Sequence, residues 1–451
     1  MHGPARTLAR LVRALSRRLG RTGGTTAPGR LLLRLSPRSL EQMAGELDRG
    51  AVMVSATNGK TTTAAMLATA LERSGQPVVH NRAGSNMSWG VATALLDARR
   101  GRGQIGLFEV DEAWLPHVAH ALRPRVYLLS NLFRDQLDRY GELELLADRW
   151  AELVAEEDGR ARFVLNADDP LVADLGRGRE GVVYFGVSDD RQALPALQHA
   201  SDSKHCRNCG AAYVYEAVYL GHIGRYRCPR CGRERPSPQV EATSVELEGM
   251  AGARMSLRTP GGEAEVRLPL PGLYNVYNAV AAAAAALELG VSFEAVRSAL
   301  EEFGGAFGRV ETIPVDGRAV SILLVKNPAG ANEVLRTLTL EERRLDLWLA
   351  LNDGIADGRD VSWIWDADFE LLAGRVRRAT CSGTRAEEMA LRLKYAGVDA
   401  ELAVDRDLGR SLDAAVAAAD GGRLYALPTY TALLELRDLL ARRGLAPRWS
   451  E

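Results

Sequence analysis

The sequence predicts an α/β chain of two domains, each a parallel sheet with helices on both faces, with a small cysteine-bearing module inserted in the first. Three observations predict it. Short, continuously apolar runs alternate with stretches of helical length along most of the chain, the pattern of successive βα units. Two Cys-x-x-Cys pairs set among Arg, Gly and Pro interrupt that alternation between residues 200 and 240. The length, 451 residues, suits two or three domains. Composition excludes other classes. At 46% hydrophobic and 25% charged residues the chain is not largely disordered, and no run of about 18 apolar residues offers a membrane span. Lys and Arg number 57 against 58 Asp and Glu, so net charge gives no case for nucleic-acid binding.

Residues 1–48 are a basic N-terminal segment, because Arg6, Arg10, Arg13, Arg17, Arg18, Arg21, Arg30, Arg34 and Arg38 all precede the first acid, Glu41. Lacking an apolar stretch and a small-residue cleavage site, it does not read as a secretory signal. A basic amphipathic helix lying on the protein or on an acidic partner is expected, with peripheral contact to an anionic membrane surface as the sharper alternative. Residues 49–315 form the first α/β domain. Ala51 to His80 reads as strand, Gly-containing turn, helix and strand, with Gly75 and Pro77 punctuating the helix end. IGLFEV, RVYLLSN, ARFVLN and GVVYFGV are its further strands, and ELELLADRWAELVAEE is a helix between them. After the insert, GGEAEVRLPL is a strand, and the Ala-rich run that follows is a closely packed helix. Residues 316–451 form a second, Rossmann-like α/β domain. AVSILLV, RLDLWLALN, RVRRATCSG and RLYALP are its strands, with EEMALRLKYAG and YTALLELRDLLARRG as helices.

Thr57-Asn58-Gly59-Lys60-Thr61-Thr62 lies between a predicted strand and a predicted helix, the context a phosphate-binding loop requires. Amides at the helix N-terminus face the phosphates, Lys60 neutralises their charge, and the Thr61 hydroxyl can ligate Mg²⁺. Cys206-Arg207-Asn208-Cys209-Gly210 and Cys228-Pro229-Arg230-Cys231-Gly232 form two knuckles. Four thiolates at this spacing satisfy tetrahedral Zn²⁺ with no open position, so a structural zinc ribbon is expected, bracing a loop or a partner surface. His205 and His222 then have no ligand role, and Cys381 is left as a buried thiol. Beyond the predicted strand LDLWLAL, Asp353, Asp357 and Asp360 lie where a parallel sheet meets its ligands. Of these, Asp353 reads as a helix-capping residue and Asp357 or Asp360 as functional.

The loop residues 57–62 resemble those of the Mur ligases and folylpolyglutamate synthases, which join an amine to an ATP-activated carboxylate. Further pieces follow in the family's order: Gly84-Ser85-Asn86-Met87, Glu109, Asn166-Ala167-Asp168-Asp169-Pro170, Gly272 to Asn278, and Gly308-Arg309-Val310-Glu311. The resemblance implies a Mur ligase-type central ATPase domain. In it Glu109 joins Thr61 as a magnesium ligand, and Asn275 and Arg309 join residues 57–62 in binding ATP. There are departures: Ala56 replaces a loop glycine, Arg134 to Asp138 replaces a His-bearing motif, and Lys326-Asn327-Pro328 replaces another. Only about 50 residues precede the loop, fewer than a UDP-sugar-binding domain needs.

With the cysteine insert and the segments Arg134 to Glu142 and Asp357 to Asp366, the chain is most similar to the MurT branch, ligase subunits of lipid II isoglutaminyl synthases. That implies amidation of the D-glutamate α-carboxylate of the peptidoglycan stem peptide on lipid II through an acyl phosphate. Ammonia would come from a GatD-type glutamine amidotransferase partner, with the reaction in the cytoplasm at the inner face of the membrane. No Cys-His glutaminase dyad is recognisable in the chain, which agrees with a separate glutaminase. Asp360, with Asp357 as the alternative, is assigned to orienting the partner's catalytic histidine. The competing readings are a folylpolyglutamate-type ligase adding an amino acid and a non-enzymatic ATP-binding zinc-ribbon scaffold.

Overall fold

The computed structural model describes residues 3–18, 26–82, 85–135, 143–199, 201–304, 310–420 and 422–447. The basic segment forms α1 (Gly3–Arg18), α2 (Ala27–Leu35) and α3 (Ser39–Ala44). It lies on its own domain, and its arginines point the way. Arg6 makes a two-pronged ion pair with Glu46 at 2.6 and 2.7 Å, Arg10 donates to the Leu96 carbonyl, and Arg13 donates to the Thr93 carbonyl at 2.7 Å. Ala9, Leu32, Leu40 and Met43 are buried in the same core as Met53 and Phe108.

The apolar runs of the first domain form β1 (Ala51–Ser55), β2 (Val78–His80), β3 (Ile105–Glu109), β4 (Val126–Leu129), β5 (Arg162–Asn166) and β6 (Val182–Val187). They pair in the order β6-β5-β4-β1-β3-β2, all parallel. Between them run α4 (Lys60–Arg73), α5 (Ser88–Leu95), α6 (Leu115–Leu122), α7 (Leu143–Glu156) and the short α8 (Pro170–Ala173). Every residue of β1 and β3 is buried, as helices on both faces demand. Val52 and Val54 face one core, with α4 and the Ala-rich helix, while Ala51 and Met53 face the other, with Trp150 and the N-terminal helices. Side chains alternate across the sheet, so one strand serves both.

The expectation of a wholly parallel sheet needs correction at its far edge. β9 (Val240–Leu247) extends β6 in parallel, but β10 (Ala253–Thr259) and β11 (Gly262–Leu268) continue as antiparallel hairpin strands, giving a mixed nine-stranded sheet. Their alternating buried and exposed residues mark a sheet with one wet face, unlike the apolar runs before them. The insert departs after β6 and holds β7 (Val214–Leu220) and β8 (Ile223–Arg227), an antiparallel pair between the two knuckles. The chain returns through β11 to α9 (Leu273–Glu288) and α10 (Phe293–Glu301); in α9 every residue from Asn275 to Ala286 is buried.

The second sheet has six strands in the order β12-β13-β17-β14-β15-β16, namely β12 (Val310–Val315), β13 (Arg318–Leu323), β14 (Leu345–Ala350), β15 (Val376–Ser382), β16 (Glu401–Val404) and β17 (Arg423–Pro428). Its helices are α11 (Pro328–Leu338), α12 (Ala386–Tyr395), α13 (Leu408–Ala418) and α14 (Tyr430–Arg442). β12 pairs antiparallel with β13, so sheet membership divides the chain before Val310 and not after residue 315. Cys381 is buried on β15, and burial pushes its thiol up to about 12.

Candidate active site

The phosphate loop is fixed by side chains that bind backbone. Asn131, just past β4, accepts from the Asn58 amide at 2.9 Å and donates to the Asn58 carbonyl at 3.0 Å. The Thr57 hydroxyl accepts from the Phe133 amide at 3.0 Å, so this side chain braces the loop and is turned from the phosphate side. Gly59 caps α4 with φ of 86°, and a Cβ there would stand 2.0 Å from the Asn278 Oδ1. Only glycine tolerates both conditions. The first-turn amides of α4 are thereby presented as an anion site.

Lys60 is buried, donating to the Ala56 carbonyl and to Glu112 at 2.7 Å. Burial alone would lower its ammonium; Glu112, with Asp111 and Glu109, holds it above its ordinary value. Burial likewise would raise Glu112, but Lys60 and then Lys326 keep its carboxyl below the ordinary value. The Thr61 hydroxyl donates to Glu109 Oε2 at 2.8 Å, bringing together the two oxygens expected to hold magnesium. Asn81 fixes the end of β3 by donating to the Glu109 carbonyl at 2.8 Å and accepting from its amide at 2.9 Å. Hard oxygen donors of this kind suit a small divalent cation.

A cavity partly open to solvent runs from this loop towards α11. Gly59 and Thr62 border it, and Asn275 and Asn278 of α9, Leu220 and Ile223 of the insert, Lys326 and Glu333 line the rest. Asn275 donates to the Pro271 carbonyl at 2.8 Å, and Asn278 to Asn275 at 3.1 Å. The segment that replaces a family motif is engaged directly with the loop. Lys326 pairs with Asp135 and donates to the Thr57 carbonyl at 3.2 Å, while Asn327 and Asn58 exchange amide hydrogen bonds at 3.0 and 3.3 Å. Arg309 and Gly308 lie outside the described residues, as do Gly84 and residues 136–142.

The four cysteine sulfurs converge. Cys206, Cys209, Cys228 and Cys231 place all their Sγ atoms within 4.8 Å of one another. The pairs Cys206–Cys231 and Cys209–Cys228 stand at 3.6 and 3.4 Å, too far for disulfides and close to the roughly 3.8 Å edge of a tetrahedral Zn–S₄ site. The hairpin they hold packs against the loop after β4, with the His222 ring 4.6 Å from Phe133. His205 bridges to Ala212 through its backbone.

The two acids assigned to the partner's histidine part company. Asp357 is buried; its carboxylate accepts from the Thr431 amide at 2.8 Å, from the Thr431 hydroxyl and from the Gly354 amide at 3.2 Å, fixing the first turn of α14. Burial raises its carboxyl despite those bonds. Asp360 is exposed and accepts from the Ser362 amide at 2.8 Å within its own turn, which with the Ser362 side chain holds it below its ordinary value. Neither lines the cavity.

Sequence reading missed Glu112, Asn131 and Glu333, and placed Asn278 in the Gly272 to Asn278 segment without a role of its own. The acid-rich run Glu109-Val110-Asp111-Glu112 at a strand end was a signal for the first; Glu333 looks in the sequence like any surface acid of a helix.

Comparison with known proteins accords with this geometry. The Mur ligase middle domain family matches residues 54–227, and the MurT ligase C-terminal family matches residues 324–433. Among solved structures, a pseudomurein peptide ligase type C from Methanothermus fervidus superposes with a TM-score of 0.70 at 23% identity, over 89% of this chain and 80% of that one. MurF from Acinetobacter baumannii superposes at 0.65 with 19% identity, over 91% and 80%. These two establish the fold. The lipid II isoglutaminyl synthase (glutamine-hydrolyzing) subunit MurT of Staphylococcus aureus is 32% identical over 96% of this chain and 97% of its own. The Streptococcus pneumoniae subunit of the same name is also 32% identical, over 95% and 94%. Identity at that level along nearly the whole of both chains, with a match to the MurT C-terminal family, means that the chain belongs to the MurT family of Mur ligases.

Proposed function

We propose that this chain is the ligase subunit of a lipid II isoglutaminyl synthase, converting the D-glutamate α-carboxylate of the stem peptide to a primary amide with ATP. The observation that carries the reading is the meeting of Lys60, the Thr61–Glu109 pair and an open cavity at one helix N-terminus, in a chain similar from end to end to subunits of that name. Lys60 neutralises the transferring phosphate, exchanging Glu112 for phosphate oxygens, while the α4 amides hold the phosphates in line. Thr61 and Glu109 would hold Mg²⁺, which supplies charge neutralisation at the phosphates. A carboxylate oxygen of the substrate attacks the γ-phosphorus and ADP leaves. Ammonia then attacks the acyl carbon, phosphate leaves with the C–O bond electrons, and the nitrogen loses a proton.

In this reading Cys206, Cys209, Cys228 and Cys231 hold one structural Zn²⁺, which keeps the hairpin wall of the cavity in place. The ammonia comes from a GatD-type glutaminase partner, in keeping with relatives named glutamine-hydrolyzing. Asp360, exposed and accepting from the Ser362 amide within its own turn, is the positioning residue for that partner's histidine. Asp357 is unsuited to the role because its carboxylate is committed to Thr431. No helix among the described residues is long and apolar enough to cross a membrane. We assign the reaction to the cytoplasmic face, where α1 exposes Leu8 and Leu11 towards the surroundings.

The test is mass spectrometry of lipid II stem peptides after incubation with the protein, ATP, Mg²⁺ and ammonium. A loss of about one mass unit at D-glutamate, dependent on ATP, is expected from exchanging hydroxyl for amine. Addition of an amino-acid residue mass instead would make it a folylpolyglutamate-type ligase, and no change at all would leave a nucleotide-binding scaffold.

A further inference from the structure

The nucleotide cavity contains one buried acid that the reaction above does not use. Glu333, on α11, is 1% exposed, and neither carboxylate oxygen accepts a hydrogen bond. Its nearest cation, Arg336, stands 3.9 Å away with its guanidinium donating elsewhere, to the Tyr219 carbonyl at 2.9 Å and the Gln192 carbonyl at 2.8 Å. A buried carboxylate with no donor is strongly disfavoured, and such groups in native proteins have a reason. Of the other polar side chains lining the cavity, Asn275 bonds Pro271, Asn278 bonds Asn275 and Asn58 bonds Asn327, while the Asn166 Nδ2 is buried without an acceptor.

The same cavity is bordered by Gly59 and Thr62, so a nucleotide with its phosphates on that loop directs its nucleoside into the space that Glu333 lines. Two vacant acceptor oxygens on one carboxylate match two adjacent donors. The vicinal hydroxyls of a ribose are such a pair, and acids hold ribose hydroxyls in dinucleotide folds by the same complementarity. A base amine would satisfy one oxygen and leave the other bare.

We propose that Glu333 binds the ribose diol of the nucleotide and so makes the enzyme selective for ribonucleotides. The proposal rests on the reading that ATP occupies the Gly59–Thr62 loop. It is tested by titrating the full chain, with Mg²⁺ present, with ATP, 2′-deoxy-ATP, 3′-deoxy-ATP and inosine triphosphate, in the wild type and in Glu333→Gln. The wild type should bind ATP about tenfold or more tightly than either deoxy analogue, and Glu333→Gln should bind all three with similar, weakened affinity. Equal wild-type affinity for ATP and the deoxy analogues overturns the proposal while leaving the phosphate loop standing. So does a Glu333→Gln protein that still rejects deoxy sugars but no longer distinguishes ATP from inosine triphosphate, since the carboxylate would then read the base. A wild type that binds no ATP sinks both. Should Glu333→Gln not fold, Glu333→Asp serves instead: it keeps the charge but withdraws it by one methylene, and reduced discrimination is expected, unchanged discrimination refuting the proposal.

Discussion

Replacing Glu333 by Gln should stabilise the nucleotide-free protein at alkaline pH. Burial lifts the Glu333 carboxyl from its ordinary value of 4.5 to about 7, and Arg336 offsets only part of that. Because the folded-state value lies above the unfolded one, the protonated group's contribution to stability is fully present below about pH 4.5 and is lost as pH rises through about 7. At pH 8 the whole of it, about 3 kcal/mol, is gone. Glutamine cannot ionise, though its buried amide lacks partners and returns about 1 kcal/mol. The variant should therefore gain about 2 kcal/mol at pH 8, a rise of about 4–8 °C in melting temperature, and nothing at pH 5. Lys326 and Tyr274 line the same cavity, and burial pushes the Tyr274 phenol upward, away from this window. Thermal melts of both proteins without nucleotide, at pH 5, 6, 7 and 8, read the effect. A melting-temperature difference that does not vary with pH, or a less stable variant at pH 8, would refute the reasoning.

Lys60→Met should abolish amidation, and it should also destabilise the protein by about 3 kcal/mol at pH 7 because Glu112 is left buried without its partner. Adding Glu112→Gln should restore the melt but not the turnover; recovery of turnover would remove Lys60 from the chemistry. Gly59→Ala should abolish ATP binding measured by calorimetry, since its Cβ meets Asn278 and its φ is left-handed. Elemental analysis should find one zinc per chain, and Cys228→Ser should release it and loosen the cavity wall in hydrogen exchange without abolishing ATP binding; a metal-free, well-folded wild type would contradict this. Asp360→Asn should cut glutamine-driven amidation by orders of magnitude and spare ammonium-driven amidation, whereas Asp357→Asn should lower the melting temperature and both activities together. Equal loss of both activities in a fully folded Asp360→Asn protein would move that residue to the ligase step.

What the sequence could reveal followed from local rules. The β1–loop–α4 unit was legible because Gly-Lys-Thr-Thr between an apolar run and a helix has few other uses, and the cysteine cluster because two Cys-x-x-Cys pairs have the spacing of a metal site. β11 was legible as a strand, but β10 and its antiparallel pairing with β11 escaped notice because an alternating pattern and a turn carry no chemistry, and β12 because membership of a sheet is a long-range property that only pairing with β13 decides. The roles of Glu112 and Glu333 were hidden for the same reason. Each is an acid in a polar-looking stretch until the fold buries it, one against Lys60 and the other against empty space. Asp357 and Asp360 looked alike in sequence; the contact with Thr431, across more than seventy residues of chain, separates them.

The central claim is that the chain activates a carboxylate by phosphorylation at the Gly59–Thr62 loop before ammonia arrives. Stem peptide carrying ¹⁸O in the D-glutamate α-carboxylate, incubated with the protein, lipid carrier, ATP, Mg²⁺ and ammonium, tests it most directly. An acyl phosphate transfers one carboxylate oxygen to the phosphate released, so one labelled oxygen should appear in inorganic phosphate for every amide formed, and neither product should appear with Lys60→Met. Amide formed alongside unlabelled phosphate would contradict the account.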